Sequence, residues 1–120
     1  MNFLMVALGG GIGALCRYGI SLIPFRGTFP LLTFGTNFVG AVLIGLIAGM
    51  VLSGKSLSPY SVLFWKTGFC GGFTTFSTFS LEAFQLLENG HPFIGCIYII
   101  ISVPLCLVGV LIGQTLAKAF

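Results

Sequence analysis

Charge is the scarcest feature of this sequence. Five Lys or Arg and two Glu occur in 120 residues, or 6% of the chain. A water-soluble domain carries roughly 25% charged residues, so this chain has no means of covering a surface in water. Aspartate is absent, and histidine occurs once, as His91. No carboxylate pair, nucleophile–base set or metal cluster is visible, so no enzymatic activity is expected. The net charge of +3 is spread over Arg17, Arg26, Lys55, Lys66 and Lys118 against Glu82 and Glu88. No basic cluster forms, which argues against nucleic acid as a partner. Cys16, Cys70, Cys96 and Cys106 lie far apart in apolar sequence without metal-ligand spacing, and they read as small buried hydrophobes.

What the chain has instead is oil: 57% of its residues are hydrophobic. No charge falls between Arg26 and Lys55, and between Glu88 and Lys118 there is no Lys, Arg, Asp or Glu and one histidine, His91. Each gap exceeds the ~20 residues that cross hydrocarbon. One membrane domain of four spans is expected over residues 1–120, with spans at about 2–23, 31–52, 61–87 and 93–117. Pro24 and Pro30 bracket the first turn, and Asn89, Gly90, His91 and Pro92 form the last. The N-terminal stretch lacks a basic start and is interrupted by Arg17, so it reads as a retained first span and not a cleaved signal.

The third span is unlike the others. Lys66 and Glu82 leave only fifteen uncharged positions between them, too few for an ordinary crossing. Between them runs Gly68–Phe79, GFCGGFTTFSTF, where a plain membrane helix would carry leucine. Gly68, Gly71 and Gly72 weaken a helix, and the hydroxyls that follow can bond to freed backbone groups. Irregular backbone at membrane depth is tolerated only against protein or a wet pathway. A helix broken near mid-membrane is expected, with a continuous polar helix as the alternative.

Small residues recur at four-residue spacing: Gly9 and Gly13; Ala41, Gly45 and Gly49; Gly68 and Gly72; Gly109 and Gly113. Such spacing lets helix backbones approach closely in lipid. Gly9, Gly11 and Ala14 also match a loose dinucleotide fingerprint, but no strand precedes them and no acid follows at the right distance. Four spans put both termini on one side with Lys55, Lys66 and Lys118, against Arg17 and Arg26 on the other. The topogenic bias is nearly nil, so the chain can insert either way up. Two opposed copies would then pair about a two-fold axis in the membrane plane.

At membrane depth the polar groups are mostly neutral hydrogen-bond donors. Asn37 sits in GTNFVG of the second span; Thr74, Thr75, Ser77, Thr78 and Ser80 lie in the third; Tyr98 and Ser102 are one turn apart on one face of the fourth. Donors without fixed negative charge suit an anion, which must replace its hydration shell on entering oil. Each hydroxyl can equally bond to its own helix backbone, and Asn37 can serve structure. Phe76 and Phe79 share a helical face; their ring edges carry partial positive charge, although packing is the usual work of phenylalanine. Arg17, Lys66 and Glu82 are costly in hydrocarbon and can snorkel to an interface. Arg17 near an entrance would concentrate anions, and an anchoring role fits it as well.

Taken together these residues resemble the CrcB/Fluc family of fluoride channels. The matching pieces are GGGIGALCRY (Gly9–Tyr18), GTNFVG (Gly35–Gly40) and GFCGGFTTFSTFSLE (Gly68–Glu82), in family order and covering nearly the whole chain. The resemblance implies an all-α membrane protein with a broken third helix, assembled as an antiparallel, dual-topology homodimer in lipid. It implies passive, selective export of fluoride across the plasma (inner) membrane of a bacterium, relieving fluoride toxicity. It also implies a structural sodium ion at the dimer centre, held by backbone carbonyls that match Gly71 and Thr74. The family's pore phenylalanines match Phe76 and Phe79, its asparagine matches Asn37, and its polar lining matches Ser77, Thr78, Tyr98 and Ser102. Arg17 matches the first-span arginine and Glu82 the third-span acid. Cys106 stands where a hydroxyl would continue the Tyr98–Ser102 track, and a thiol donates weakly. The main rival is a small, proton-coupled multidrug exporter, also four spans with dual topology; it needs a membrane carboxylate to trade protons for cationic drugs, and here the first span has none while Glu82 and Glu88 come late in the chain. A second is a membrane subunit that transports nothing and binds a larger partner.

Overall fold

A computed structural model of the chain describes residues 1–120, entirely as helices and short connections. Helix α1 (Asn2–Ser21) stops three residues before Pro24, and its last turn is closed by the Leu22 N–H, 3.2 Å from the Gly19 carbonyl. Helix α2 (Leu31–Leu52) starts directly after Pro30. It ends where Gly54 turns left-handed at φ 73°, a conformation that costs glycine nothing. The Lys55 N–H then reaches back to the Met50 carbonyl at 3.1 Å.

The third span is broken, as its glycines and hydroxyls lead one to expect. It begins with α3 (Pro59–Val62), two residues earlier than the hydrophobic pattern indicates. The reason is a cap: the Ser58 hydroxyl accepts the Ser61 N–H at 3.1 Å, and Pro59 takes the first helical position, where its missing N–H costs nothing. The chain then winds more widely as a π-helix over Leu63–Phe69, tightens into α4 (Cys70–Phe73), and opens into two extended residues, Thr74 and Thr75. Helix α5 (Phe76–Glu88) restarts with the Thr75 hydroxyl accepting the Thr78 N–H at 3.1 Å. Helix α6 (Pro92–Ala119) completes the chain after Gly90 reverses it at φ 83°.

The four-residue glycine spacing marks the two closest seams. Helix α1 lies against the π-helical segment and α4, and α2 lies against α6. A Cβ on Gly9 would collide with the Phe64 carbonyl, and one on Gly13 with the Phe69 carbonyl. Successive contacts thus advance four residues along α1 and five along the wider π winding. In the other seam a Cβ on Gly45 would strike the Val110 carbonyl, and one on Gly113 the Val42 carbonyl. Helix α5 packs on α6 around a small core of Phe79, Ala83, Leu86 and Tyr98.

The bundle measures 50 × 29 × 20 Å. Large apolar side chains such as Phe3, Leu15, Ile100, Leu107 and Leu111 face outward, which water would penalise and a bilayer favours. Helices α1, α2 and α6 are long and apolar enough to cross a membrane. The Lys55 ammonium donates to the Ala117 and Phe120 carbonyls, both at 2.9 Å, fixing the α2–α3 loop to the end of α6.

Gly45→Ala is expected to cost about 1–3 kcal/mol by overpacking the α2–α6 seam. It should lower the thermal midpoint of the purified protein in detergent. Gly11→Ala, where a Cβ meets nothing within 4 Å, should leave that midpoint unchanged or slightly raise it.

Candidate functional site

A helix that stops inside oil leaves backbone groups without partners, each costing several kcal/mol if nothing else meets it. At the break between α4 and α5 the Thr74 N–H and the Thr74 hydroxyl both donate to the Cys70 carbonyl, at 3.0 and 2.8 Å. Thr75 is served by a different helix. Its N–H donates to Asn37 Oδ1 at 2.8 Å, and its carbonyl accepts from Asn37 Nδ2 at 3.1 Å. The carboxamide of α2 therefore pairs with one backbone unit as a neighbouring peptide would. In an unbroken helix the Thr75 N–H would go to the Gly71 carbonyl; here that carbonyl is released. The Gly72 carbonyl next to it accepts Arg17 Nε at 3.1 Å, so a cation from α1 sits at the C-terminal end of α4.

Beside the break, α2, α4, α5 and α6 border a groove of about 360 Å³. Its polar and aromatic lining is Asn37, Thr74, Thr75, Phe76, Phe79 and Ser102, and no charged side chain lines it. The structure thus brings together five of the predicted site residues: Asn37, Thr74, Phe76, Phe79 and Ser102. Asn37 keeps a second amide hydrogen after bonding Thr75. Ser102 gives its proton to the Tyr98 carbonyl, leaving its oxygen as an acceptor. Phe76 is exposed and Phe79 buried, with ring centroids 5.5 Å apart. Cys106 lines the next turn of α6.

The remaining predicted residues lie elsewhere. Thr78 receives the Thr75 hydroxyl proton at 3.1 Å and keeps its own, while Ser77 is exposed. Gly71 is exposed, and a Cβ there would meet nothing within 4 Å. Tyr98 is fully buried, with Phe79 and Phe29 against it at 4.9 and 5.3 Å between ring centroids. Its hydroxyl donates to Glu82 Oε2 at 3.1 Å, and the Thr33 hydroxyl donates to Oε1 at 2.6 Å. Thr33 was missed by sequence reasoning. Its signal is its position four residues before Asn37, on the same face of α2.

Glu82 and Thr33 also line a second, more polar cavity of about 540 Å³ beside the α5–α6 turn, together with Gln85, Asn89 and His91. The groove and this cavity are joined by contact: Phe79 lines the first, touches Tyr98, and Tyr98 holds Glu82 in the second.

Outward-facing apolar helices, a third span broken at depth, and a mostly apolar groove and a more polar cavity on either side of a buried aromatic pair define a multi-pass helical membrane protein. Residues 4–114 match the family described as CrcB-like protein, Camphor Resistance (CrcB). A relative named fluoride-specific ion channel FluC, from Azobacteroides pseudotrichonymphae, is 41% identical over 99% of this chain and 98% of its own. Another of that name, from Flavobacterium psychrophilum, is 44% identical over 94% of each chain. One from Chlorobium phaeobacteroides is 48% identical over 74% of this chain and 70% of its own. The chain belongs to the CrcB family. Its relatives are named as ion channels, proteins that move ions and make no covalent bond, so the family is not one of enzymes.

Tyr98→Phe and Thr33→Val each remove one donor from Glu82. Each is expected to cost about 1–3 kcal/mol by leaving a partly buried carboxylate oxygen unmet. The double variant should deviate from the sum of the two, because both act on one group. Thermal unfolding of the three variants against the parent checks this.

Proposed function

We propose that this protein is a passive, selective fluoride channel of a bacterial plasma membrane, exporting fluoride to relieve its toxicity. The observation that carries the reading is the groove beside the helix break, which presents the spare Asn37 amide hydrogen and the Phe76 and Phe79 rings and has no charged side chain in its lining. Family membership and the names of the relatives point the same way.

A fluoride ion leaving water must exchange its hydration shell for other donors. The second Asn37 amide hydrogen is one. The free proton of Thr78 and the Ser77 hydroxyl are others near the start of α5. The rings of Phe76 and Phe79 can present positively polarised edges. Tyr98, whose hydroxyl is committed to Glu82, turns to a passing anion only by leaving that bond. Several weak sites in sequence permit flow where one strong site would trap the ion.

The break also bears on a bound cation. The Gly71 carbonyl is released because Thr75 gives its N–H to Asn37, and Gly71 lies exposed. Free carbonyls of this kind suit a hard cation, so the Gly71 and Thr74 carbonyls would hold the structural sodium, two oxygens from each chain. The ion would supply fixed positive charge beside the pores and tie the two chains together. We take the assembly to be an antiparallel homodimer whose partner covers the open groove. The multidrug-exporter reading finds no support in α1, which carries no carboxylate.

Reconstituted into liposomes, the purified protein should release fluoride rapidly and chloride not at all; equal release of both ions would refute the reading. Phe76→Ile should slow fluoride efflux at least about tenfold, near the loss of a 1.4 kcal/mol interaction with the passing ion. Because Phe76 is exposed within the chain, the protein should still fold and assemble. Phe79→Ile should slow efflux too and also lose stability, since that ring packs on Tyr98. Parental flux in both variants would remove the rings from the mechanism. Asn37→Asp should weaken conduction by setting a negative charge in the anion's path.

A further inference from the structure

The cavity beside the α5–α6 turn poses an electrostatic problem for an anion pathway. Its polar lining from Ser21, Thr28, Thr33, Gln85 and Asn89 is neutral, and the one carboxylate in it is Glu82. The remaining ionisable group that lines it is His91. The imidazole makes no hydrogen bond, while its backbone is held on both sides. The His91 N–H donates to the Leu86 carbonyl at 2.9 Å, and its carbonyl accepts the Gly95 N–H at 3.0 Å. The backbone of His91 is therefore held at the rim of the cavity. The other charged groups at this end are Arg26, in the α1–α2 loop, and Glu88, in the last turn of α5. Both are exposed, neither lines the cavity, and their charges are opposite.

Resting on the channel reading, we propose that this cavity is a mouth of the fluoride pathway and that His91 sets how fast it captures the anion. With a neutral imidazole the mouth carries the Glu82 charge alone and repels fluoride. With a protonated one the two charges cancel. Histidine is the side chain whose charge ordinarily changes between about pH 5 and 8, so capture rises as pH falls through that range. A focused charge at a cleft acts on the rate of encounter, so the effect appears at fluoride concentrations below saturation and fades in high salt.

The test uses the purified full-length protein in liposomes, with the same pH inside and out, low ionic strength and millimolar fluoride. Leak through protein-free liposomes is subtracted at each pH. The parent should conduct about two- to fivefold faster at pH 5.5 than at pH 7.5, a modest share of what steering can supply. His91→Gln should hold the slower rate at both pH values, and His91→Lys the faster rate at both. Half-molar neutral salt should erase most of the difference. Identical pH profiles for the parent and His91→Gln would overturn the inference while leaving the channel reading intact. So would a His91→Lys variant fixed at the slower rate. No fluoride flux from the parent at either pH would overturn the channel reading itself.

Discussion

The pairing of the Asn37 carboxamide with the backbone of Thr75 is the interaction on which this architecture depends. A helix cannot open in hydrocarbon unless something replaces the hydrogen bonds it gives up, and α2 supplies the replacement at 2.8 and 3.1 Å. The close approach this needs is prepared by small residues. A Cβ on Gly40 would run into the Thr74 methyl, and Gly45 and Gly113 set α2 deep against α6. The glycines and the asparagine of α2 are thus parts of one device, about two turns long, that holds a defect open at the centre of the bundle.

What the defect provides is a short stretch of backbone and hydroxyl chemistry at a depth where oil would otherwise be continuous. One carbonyl is released at Gly71, another is met by Arg17, and a new helix begins at Phe76 with its first turn rich in hydroxyls. Along α5 one face then carries Phe76, Phe79 and Glu82 in turn, from the open groove, past the buried Tyr98, to the polar cavity at the far end. The seam between the two recesses is aromatic, and its one fixed negative charge is held by two donated hydroxyls. The order of environments along α5 is thus neutral polar groups, then aromatic rings, then a carboxylate held by two hydroxyls.

Much of this could be read from the amino-acid order. Charge gaps give spans, the crowded glycines and threonines after Lys66 give an interruption, and four-residue spacing gives the two close seams. Three features could not be read that way. The π-helical winding of Leu63–Phe69 has no residue signature, because it follows from matching its backbone to Gly9 and Gly13 across α1. The hydrogen-bond partners of Asn37 and Tyr98 depend on which atoms of other helices stand opposite, a fact that periodicity within one helix does not contain. Tyr98 and Ser102 share a face by spacing, yet the tyrosine hydroxyl goes to Glu82 while the serine hydroxyl goes back to its own helix. Thr33 shares the Asn37 face of α2 by spacing, but its partner becomes visible only once Glu82 is placed beside it.

The central claim, that α2 holds the break open through Thr75, is tested most directly by residue-resolved amide hydrogen exchange. The Thr75 N–H of the parent should be protected like the N–H groups of the flanking helices, and Asn37→Leu should speed its exchange by about 30- to 100-fold, as expected for losing the partner of a buried N–H worth about 2–3 kcal/mol. An unchanged Thr75 exchange rate in a folded Asn37→Leu protein would contradict the account.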